Sequence, residues 1–266
     1  MIGSGKMGEI IAAGIVRSGY RPADQVYVTD VSTERVREVA GKYGLKAAQG
    51  NRDAVSKART VLVAVKPQDI DGVLEEIGPG LTGDHLLVSI AAGIPTDFYE
   101  QRLPAGTAVV RAMPNAAAQV GEGMAAICAG RNATEEHLEV AEGLLSSVGR
   151  ALRVPESYMD AVTAISGSGP AYFALFAEAM IEAGVLTGLP RAVASDLVIQ
   201  TMVGTAAMMR DGRMQPVQVR EAVTSPGGTT AMALLALEQG RLRAAVLNAV
   251  QAATDRAKSM VRNGKK

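Results

Sequence analysis

Residues that carry hard chemistry are scarce in this chain. The single cysteine, Cys128, excludes an internal disulfide, and the two histidines, His85 and His137, form no cluster at metal-ligand spacing. No metal site is expected, and Cys128 reads as packing within a strand. Lysine is absent between Pro67 and Ala257, and histidine is absent beyond His137, so the helical domain up to Ala257 cannot supply these usual strong proton donors. Neither sign of charge is in excess, with 27 Lys plus Arg against 27 Asp plus Glu. That balance argues against a nucleic-acid binder and for a small-molecule partner. No basic N-terminal segment with a cleavage pattern is present, and the most apolar helical stretch, 170–187, is interrupted by Glu178 and Glu182. A cytoplasmic protein without a membrane span is expected.

What is abundant is material for burial: 48% of the 266 residues are hydrophobic, enough for two modest domains. The first half carries short, nearly continuous apolar runs, "QVYVTD" (25–30), "TVLVAVKP" (60–67), "HLLVSIAAG" (85–93), "TAVVRAMPN" (107–115), "GMAAICAG" (123–130) and "GRALRVPE" (149–156). Strands buried on both faces read this way. Helical stretches lie between them at 32–43 with Ser32 as N-cap, at 69–77, and at 134–148 opened by Thr134 with Glu135 and Glu136. The fold class is therefore α/β: a Rossmann-like doubly wound parallel sheet over 1–156, followed by an all-α domain over 157–266. The second domain is rich in alanine and methionine and poor in charge, so some of its helical faces are expected to pack on another subunit.

Residues 3–8, "GSGKMG", fit G-x-G-x-x-G and lead into the amphipathic "EIIAAGIVRSG". Gly3 would make the tight turn, Gly5 would admit a pyrophosphate to the helix N-terminus, and Gly8 would let helix and sheet approach closely. Asp30 ends the next strand about 20 residues on, where an acidic side chain bonds the adenosine ribose of a dinucleotide. Its charge disfavours a 2′-phosphate and so favours NADH over NADPH, although Ser32, Thr33 and Arg35 stand where they would hold that phosphate. A whole strand should precede this loop, yet only Met1 and Ile2 do. The expectation is that the chain as given begins inside that strand, leaving a gap in the central hydrogen-bond ladder.

A second glycine loop interrupts the helical half at 223–231, "VTSPGGTTA", a proline and two glycines among hydroxyl side chains. Read alone, it is a helix–helix connection with a hydroxyl N-cap.

Taken in order, "GSGKMG", "AVKP" (64–67), "SIAAG" (89–93), "RAMPN" (111–115), "AVTAISGSGPAY" (161–172) and "AVTSPGGTT" (222–230) resemble pyrroline-5-carboxylate reductase over nearly the whole chain. The resemblance implies reduction of a cyclic imine to proline by NADPH or NADH. By position it assigns cofactor contacts to Ile2, Gly3, Ser4, Gly5, Lys6, Met7, Asp30, Asn51, Ala64, Val65, Lys66, Pro67, Ile90, Ala91 and Ala92. The substrate loop falls on Ser225, Gly227, Gly228, Thr229 and Thr230. It also implies a homodimer through the helical domain, assembling further into rings, up to a decamer of dimers. Two departures stand out. Asp30 replaces a small hydroxyl residue found in NADPH-using members, and "MQPVQVREAV" replaces a pattern "HPxxLxDxV", leaving Glu221 as the carboxylate near the substrate.

The chemistry implied suits the missing lysines. Reducing a ketone requires a donor for the developing alkoxide, whereas a protonated imine already carries its proton and loses its charge as hydride arrives. Orientation and carboxylate binding can then carry much of the catalysis. In this reading Ser225 and Thr230 are the catalytic hydroxyls, with Thr230 nearest the ring nitrogen; Tyr172 is a weaker candidate that reads as core beside Phe173 and Phe176. Lys66 reads as a residue near phosphate or solvent, and Arg111 and Asp71 as structural charges. A β-hydroxyacid dehydrogenase would need a lysine on the helix after the linker, and none exists there. Reduction of a related cyclic imine, or dinucleotide binding without turnover, stay open at this level.

Overall fold

The computed structural model describes residues 1–263. Seven strands form its sheets: β1 (Tyr27–Val28), β2 (Lys46–Ala47), β3 (Thr60–Val63), β4 (Leu86–Ser89), β5 (Ala108–Met113), β6 (Gly123–Ala129) and β7 (Gly149–Arg153). β1 pairs β2, and β3 to β7 pair in sequence order. Between β1 and β3 runs the N-terminal segment, Ile2 bridging Thr29 on one side and Val63 on the other, both parallel. Four backbone bonds close this seam: Ile2 N to Leu62 O (2.8 Å), Ala64 N to Ile2 O (2.8 Å), Gly3 N to Thr29 O (2.9 Å) and Thr29 N to Met1 O (3.0 Å). The expected gap in the ladder is thus filled over this short length, and the order is that of a doubly wound dinucleotide fold.

One strand departs from the all-parallel expectation: β6 runs antiparallel to β5, with Arg111 opposite Cys128. The connection between them holds only a 3₁₀ turn, Ala116–Val120, too short for the crossover that a parallel pair needs. β7 then returns parallel to β6.

Alternation along the buried strands feeds two apolar layers. Leu62, Val88, Val110 and Ile127 face one side, packed with Ile11 and Ile15 of α1 (Lys6–Arg17). Val61, Val63, Leu87 and Val109 face the other. There they meet Leu74 and Ile77 of α4 (Ile70–Ile77) and Tyr99 of α5 (Thr96–Glu100). α2 (Thr33–Tyr43) begins as expected, Ser32 Oγ accepting the Arg35 N–H, and stops at left-handed Gly44. α6 (Glu135–Ser146) carries Thr134 and His137 in a capping box, which accounts for that histidine structurally. β2, α3 (Asn51–Ser56) and α5 are absent from the sequence reading; each is too short to leave a period.

Beyond β7 come α7 (Met159–Val162), a π-helical turn (Thr163–Gly167), α8 (Gly169–Leu186), α9 (Arg191–Arg210), α10 (Pro216–Ala222), α11 (Thr229–Gln239) and α12 (Leu242–Asn263). The chain separates into two compact units, Met1–Pro170 with the chain from Ala252 on, and Ala171–Gln251. The compositional change at 156/157 and this division differ because α7 and the end of α12 pack with the sheet-bearing unit. Within the helical unit, α8 and α9 touch closely, since a Cβ on Gly184 would lie 2.9 Å from that of Ala194. Large apolar side chains remain outside: Phe173 is 66% and Phe176 40% exposed, and Tyr172 is only half-buried. They are not core within one chain, contrary to the sequence reading. Glu156–Leu186 and Arg191–Arg210 are also long and apolar enough to cross a membrane, so Glu178 and Glu182 do not exclude a span by composition.

Candidate functional site

The carboxyl ends of the parallel strands carry the predicted dinucleotide residues. Ile2, Gly3 and Ser4 are buried, Gly5 and Lys6 exposed, and Met7 half-buried. Gly3 sits at φ +94°, and a Cβ there would meet Ala64 O at 2.8 Å; on Gly8 it would meet Gly3 O at 2.2 Å. Those two positions admit nothing but glycine without moving backbone. Gly5 is the N-cap of α1 with no side-chain cap, and no heavy atom lies within 4 Å of where its Cβ would be. The first intrahelical bond runs from Glu9 N to Gly5 O, so the N–H groups of Lys6, Met7 and Gly8 precede the ladder and face the helix end. This open cradle fits a pyrophosphate on the positive end of a helix.

Asp30 closes the loop from the next strand. Its Oδ2 accepts Ser4 N–H at 2.7 Å and its Oδ1 accepts Ser32 N–H at 3.0 Å. Ala64 and Val65 follow β3 half-buried, Lys66 is exposed and Pro67 opens a 3₁₀ turn. Ile90 is tied to β3 by Ile90 N to Val63 O, 3.1 Å, with Ala91 buried and Ala92 half-buried beside it. These positions are therefore adjacent, with Gly3 against Ala64. Asn51 is the exception in chemistry, because its Nδ2 donates to Glu76 Oε2 at 2.7 Å.

Supporting contacts that the sequence does not reveal surround this edge. Ser89 Oγ accepts Ala91 N–H at 3.2 Å and shares a 2.5 Å bond with the Tyr99 hydroxyl. Burial pushes that phenol up to about 12, so it acts as a neutral hydrogen-bonding post for the loop. Arg111, nearly buried, reaches Glu156 Oε1 at 3.2 Å, and Glu156 also accepts Thr96 N–H (2.8 Å) and Thr96 O–H (2.6 Å). Cys128, pushed up to about 12 chiefly by burial, is an inert packing thiol. Asn115 donates to Ser166 O at 3.0 Å, tying the end of β5 to the π-helical turn of "AISGSGP", where Gly167 lies against Met113. A cavity of about 410 Å³ lined by Met1, Tyr20, Tyr27, Lys57 and Leu62 lies at the opposite edge of the strands, and none of the predicted site residues lines it.

In the helical unit the second glycine loop is a tight turn. Gly228 N donates to Ser225 O at 3.1 Å, with Pro226 and Gly227 between them and Gly227 at φ +69°, the arrangement of a type II turn. Gly228 is the N-cap of α11, without a side-chain cap, and its missing Cβ would lie 2.3 Å from Ser225 Oγ. The first intrahelical bond is Met232 N to Gly228 O, so Thr229, Thr230 and Ala231 present their N–H groups at the helix end. Thr229 is exposed and Thr230 half-buried. Glu221 lies exposed in the last turn of α10. The loop thus gathers Ser225, Gly227, Gly228, Thr229 and Thr230 at one anion-accepting terminus.

Comparison with known proteins adds to this geometry. A family described as pyrroline-5-carboxylate reductase dimerisation matches residues 156–260, and one described as NADP oxidoreductase, coenzyme F420-dependent, matches 1–93. The chain is 44% identical to the pyrroline-5-carboxylate reductase of Mycobacterium tuberculosis, over 98% of this chain and 95% of that protein. It is 41% identical to the enzyme of that name from Methanosarcina acetivorans, over 97% and 96%. Among solved structures, a pyrroline-5-carboxylate reductase from Coxiella burnetii superposes with a TM-score of 0.93 at 36% identity, covering 97% of this chain and 96% of that one. The Plasmodium falciparum pyrroline carboxylate reductase, with NADP bound, gives 0.87 at 32%, covering 98% and 96%.

Proposed function

Because this chain belongs to the pyrroline-5-carboxylate reductase family, we propose that it reduces pyrroline-5-carboxylate to proline, with NADH preferred over NADPH. It is an oxidoreductase that uses a pyridine nucleotide, and the finer reading comes from its residues. The observation that carries it is the "SPGGTT" turn, in which Gly227 holds φ +69°, a Cβ on Gly228 would displace the Ser225 hydroxyl, and Thr229 and Thr230 open α11.

Gly3 to Met7, with Ala64 to Pro67 and Ile90 to Ala92, would hold the dinucleotide, and Asp30 the adenosine ribose. When bound, the reduced nicotinamide supplies the hydride. The first-turn N–H groups of α11 hold the substrate carboxylate, assisted by Ser225. Gly227 and Gly228 let the backbone come close. Thr230 orients the ring nitrogen, which arrives protonated and leaves as a neutral amine once hydride reaches the neighbouring carbon, so no lysine or histidine is required. Thr229 and Glu221 complete the substrate end. Asn51, bonded to Glu76, shapes the adenosine side of the loop. The helical domain forms a homodimer, which the dimerisation-family match supports.

The test is oxidation of NADH and NADPH, side by side, with pyrroline-5-carboxylate and with its six-membered homologue. Higher kcat/KM for the five-membered ring with NADH is expected. Equal or greater turnover of the six-membered ring would reassign the substrate, and a preference for NADPH would overturn the reading of Asp30.

A further inference from the structure

The strongest unassigned cluster of charge lies immediately behind Asp30. Arg35, at the start of α2, turns each of its three guanidinium nitrogens to one of the protein's own acceptors: Nε to Ser4 O (2.9 Å), Nη1 to Glu38 Oε2 (2.6 Å) and Nη2 to Glu9 Oε2. Glu9 stands in the first turn of α1. Its other oxygen accepts Lys42 Nζ and the Tyr43 hydroxyl, each at 2.9 Å, and its side chain is 17% exposed. One carboxylate therefore engages two cations of α2, Arg35 in its first turn and Lys42 in its last. Lys42 above all, then Arg35 and Tyr43, holds that carboxyl at about 2, so it is an anion at any working pH.

A 2′-phosphate on the adenosine ribose needs a counter-charge, and an arginine just beyond the ribose-binding acid is the group that dinucleotide folds use for it. Arg35 has the right place in the chain, since Ser32, its helix cap, donates to Asp30 Oδ1 and Ser4 donates to Asp30 Oδ2. Its charge is nonetheless paired with Glu9 and Glu38, which hold three of its five N–H donors together with Ser4 O. We infer that Glu9 sets cofactor choice as a positioning residue: by retaining Arg35 it denies a 2′-phosphate its cation, and with Asp30 it selects the unphosphorylated ribose. This rests on the reading of the Asp30 loop as the ribose site. Glu9 lies just outside the glycine fingerprint, and no sequence pattern marks it.

Binding of NADH and NADPH to the full chain, followed by nucleotide fluorescence without any imine, tests this apart from turnover. Glu9→Gln is expected to lower the ratio of the NADPH to the NADH dissociation constant about tenfold, by tightening NADPH alone, the gain of one charge-assisted pair. Adding Arg35→Gln should abolish that gain. Arg35→Gln alone should leave the ratio within about twofold, because the side chain is already committed; this arm stands even where Glu9→Gln fails to fold. A loss of NADPH affinity in Arg35→Gln alone would show that Arg35 already serves the phosphate, and equal weakening of both nucleotides in folded Glu9→Gln would reduce Glu9 to a clip between helices. Either result overturns the inference while leaving the dinucleotide site intact. Failure of the unaltered chain to bind either nucleotide would instead overturn the ribose-site reading beneath it.

Discussion

Thr230 stands half-buried in the first turn of α11, one residue beyond the exposed Thr229. If it orients the imine nitrogen, Thr230→Ala should lower kcat/KM about tenfold or more while cofactor binding is unchanged, as measured by steady-state kinetics and nucleotide titration. Gly227, at φ +69°, makes a different prediction: Gly227→Ala should cost about 1–2 kcal/mol of strain in the turn, seen as weaker substrate binding with intact helical content. Glu9 is read out by acid. Its folded carboxyl is depressed from 4.5 to about 2, so its contribution to stability is present above about pH 4.5 and is lost as pH falls through about 2. Glu9→Gln should flatten that acid limb by roughly 1–2 kcal/mol in denaturant titrations, the partly solvated setting keeping the figure small. The geometry of Gly3, Gly8 and Gly227 and the place of Asp30 beside the glycine loop were legible because each requirement is local: a φ, a close approach, a strand end. Glu9 was not, because its partners Arg35 and Lys42 lie 26 and 33 residues away.

At the scale of elements, helix ends and buried strands were legible from caps and apolar runs. Ser32 and Thr134 cap as read. Strand direction was not, because a buried run has the same composition either way; only the short link before β6 carries that information. β2 and α3 escaped because two strand residues and one and a half helical turns leave no measurable period. The junction of α1 with the sheet gives a sharp prediction. A Cβ on Gly8 would lie 2.2 Å from Gly3 O, so Gly8→Ala must displace the fingerprint backbone and should weaken NADH binding roughly tenfold or more in fluorescence titration. Gly5→Ala, with open space around the missing Cβ, should leave the empty protein's stability nearly unchanged while obstructing the pyrophosphate.

For the whole molecule, large apolar side chains of the helical unit stand exposed, Phe173, Leu175, Leu186, Leu197 and Leu247 among them, a concentration that marks an interaction surface. A family described as pyrroline-5-carboxylate reductase dimerisation matches these residues, and on that ground light scattering should give at least twice the 27.6 kDa of one chain. A monodisperse monomer would contradict that assignment. Helical spacing placed Tyr172 in a core beside Phe173 and Phe176, yet both phenylalanines stand exposed, because the spacing of apolar residues does not say whether their own chain covers them. Reduction of a five-membered cyclic imine without a lysine or histidine donor is checked by counting product. Purified protein supplied with pyrroline-5-carboxylate and NADH should form one proline for each NADH oxidised. NADH binding without proline formation would contradict it.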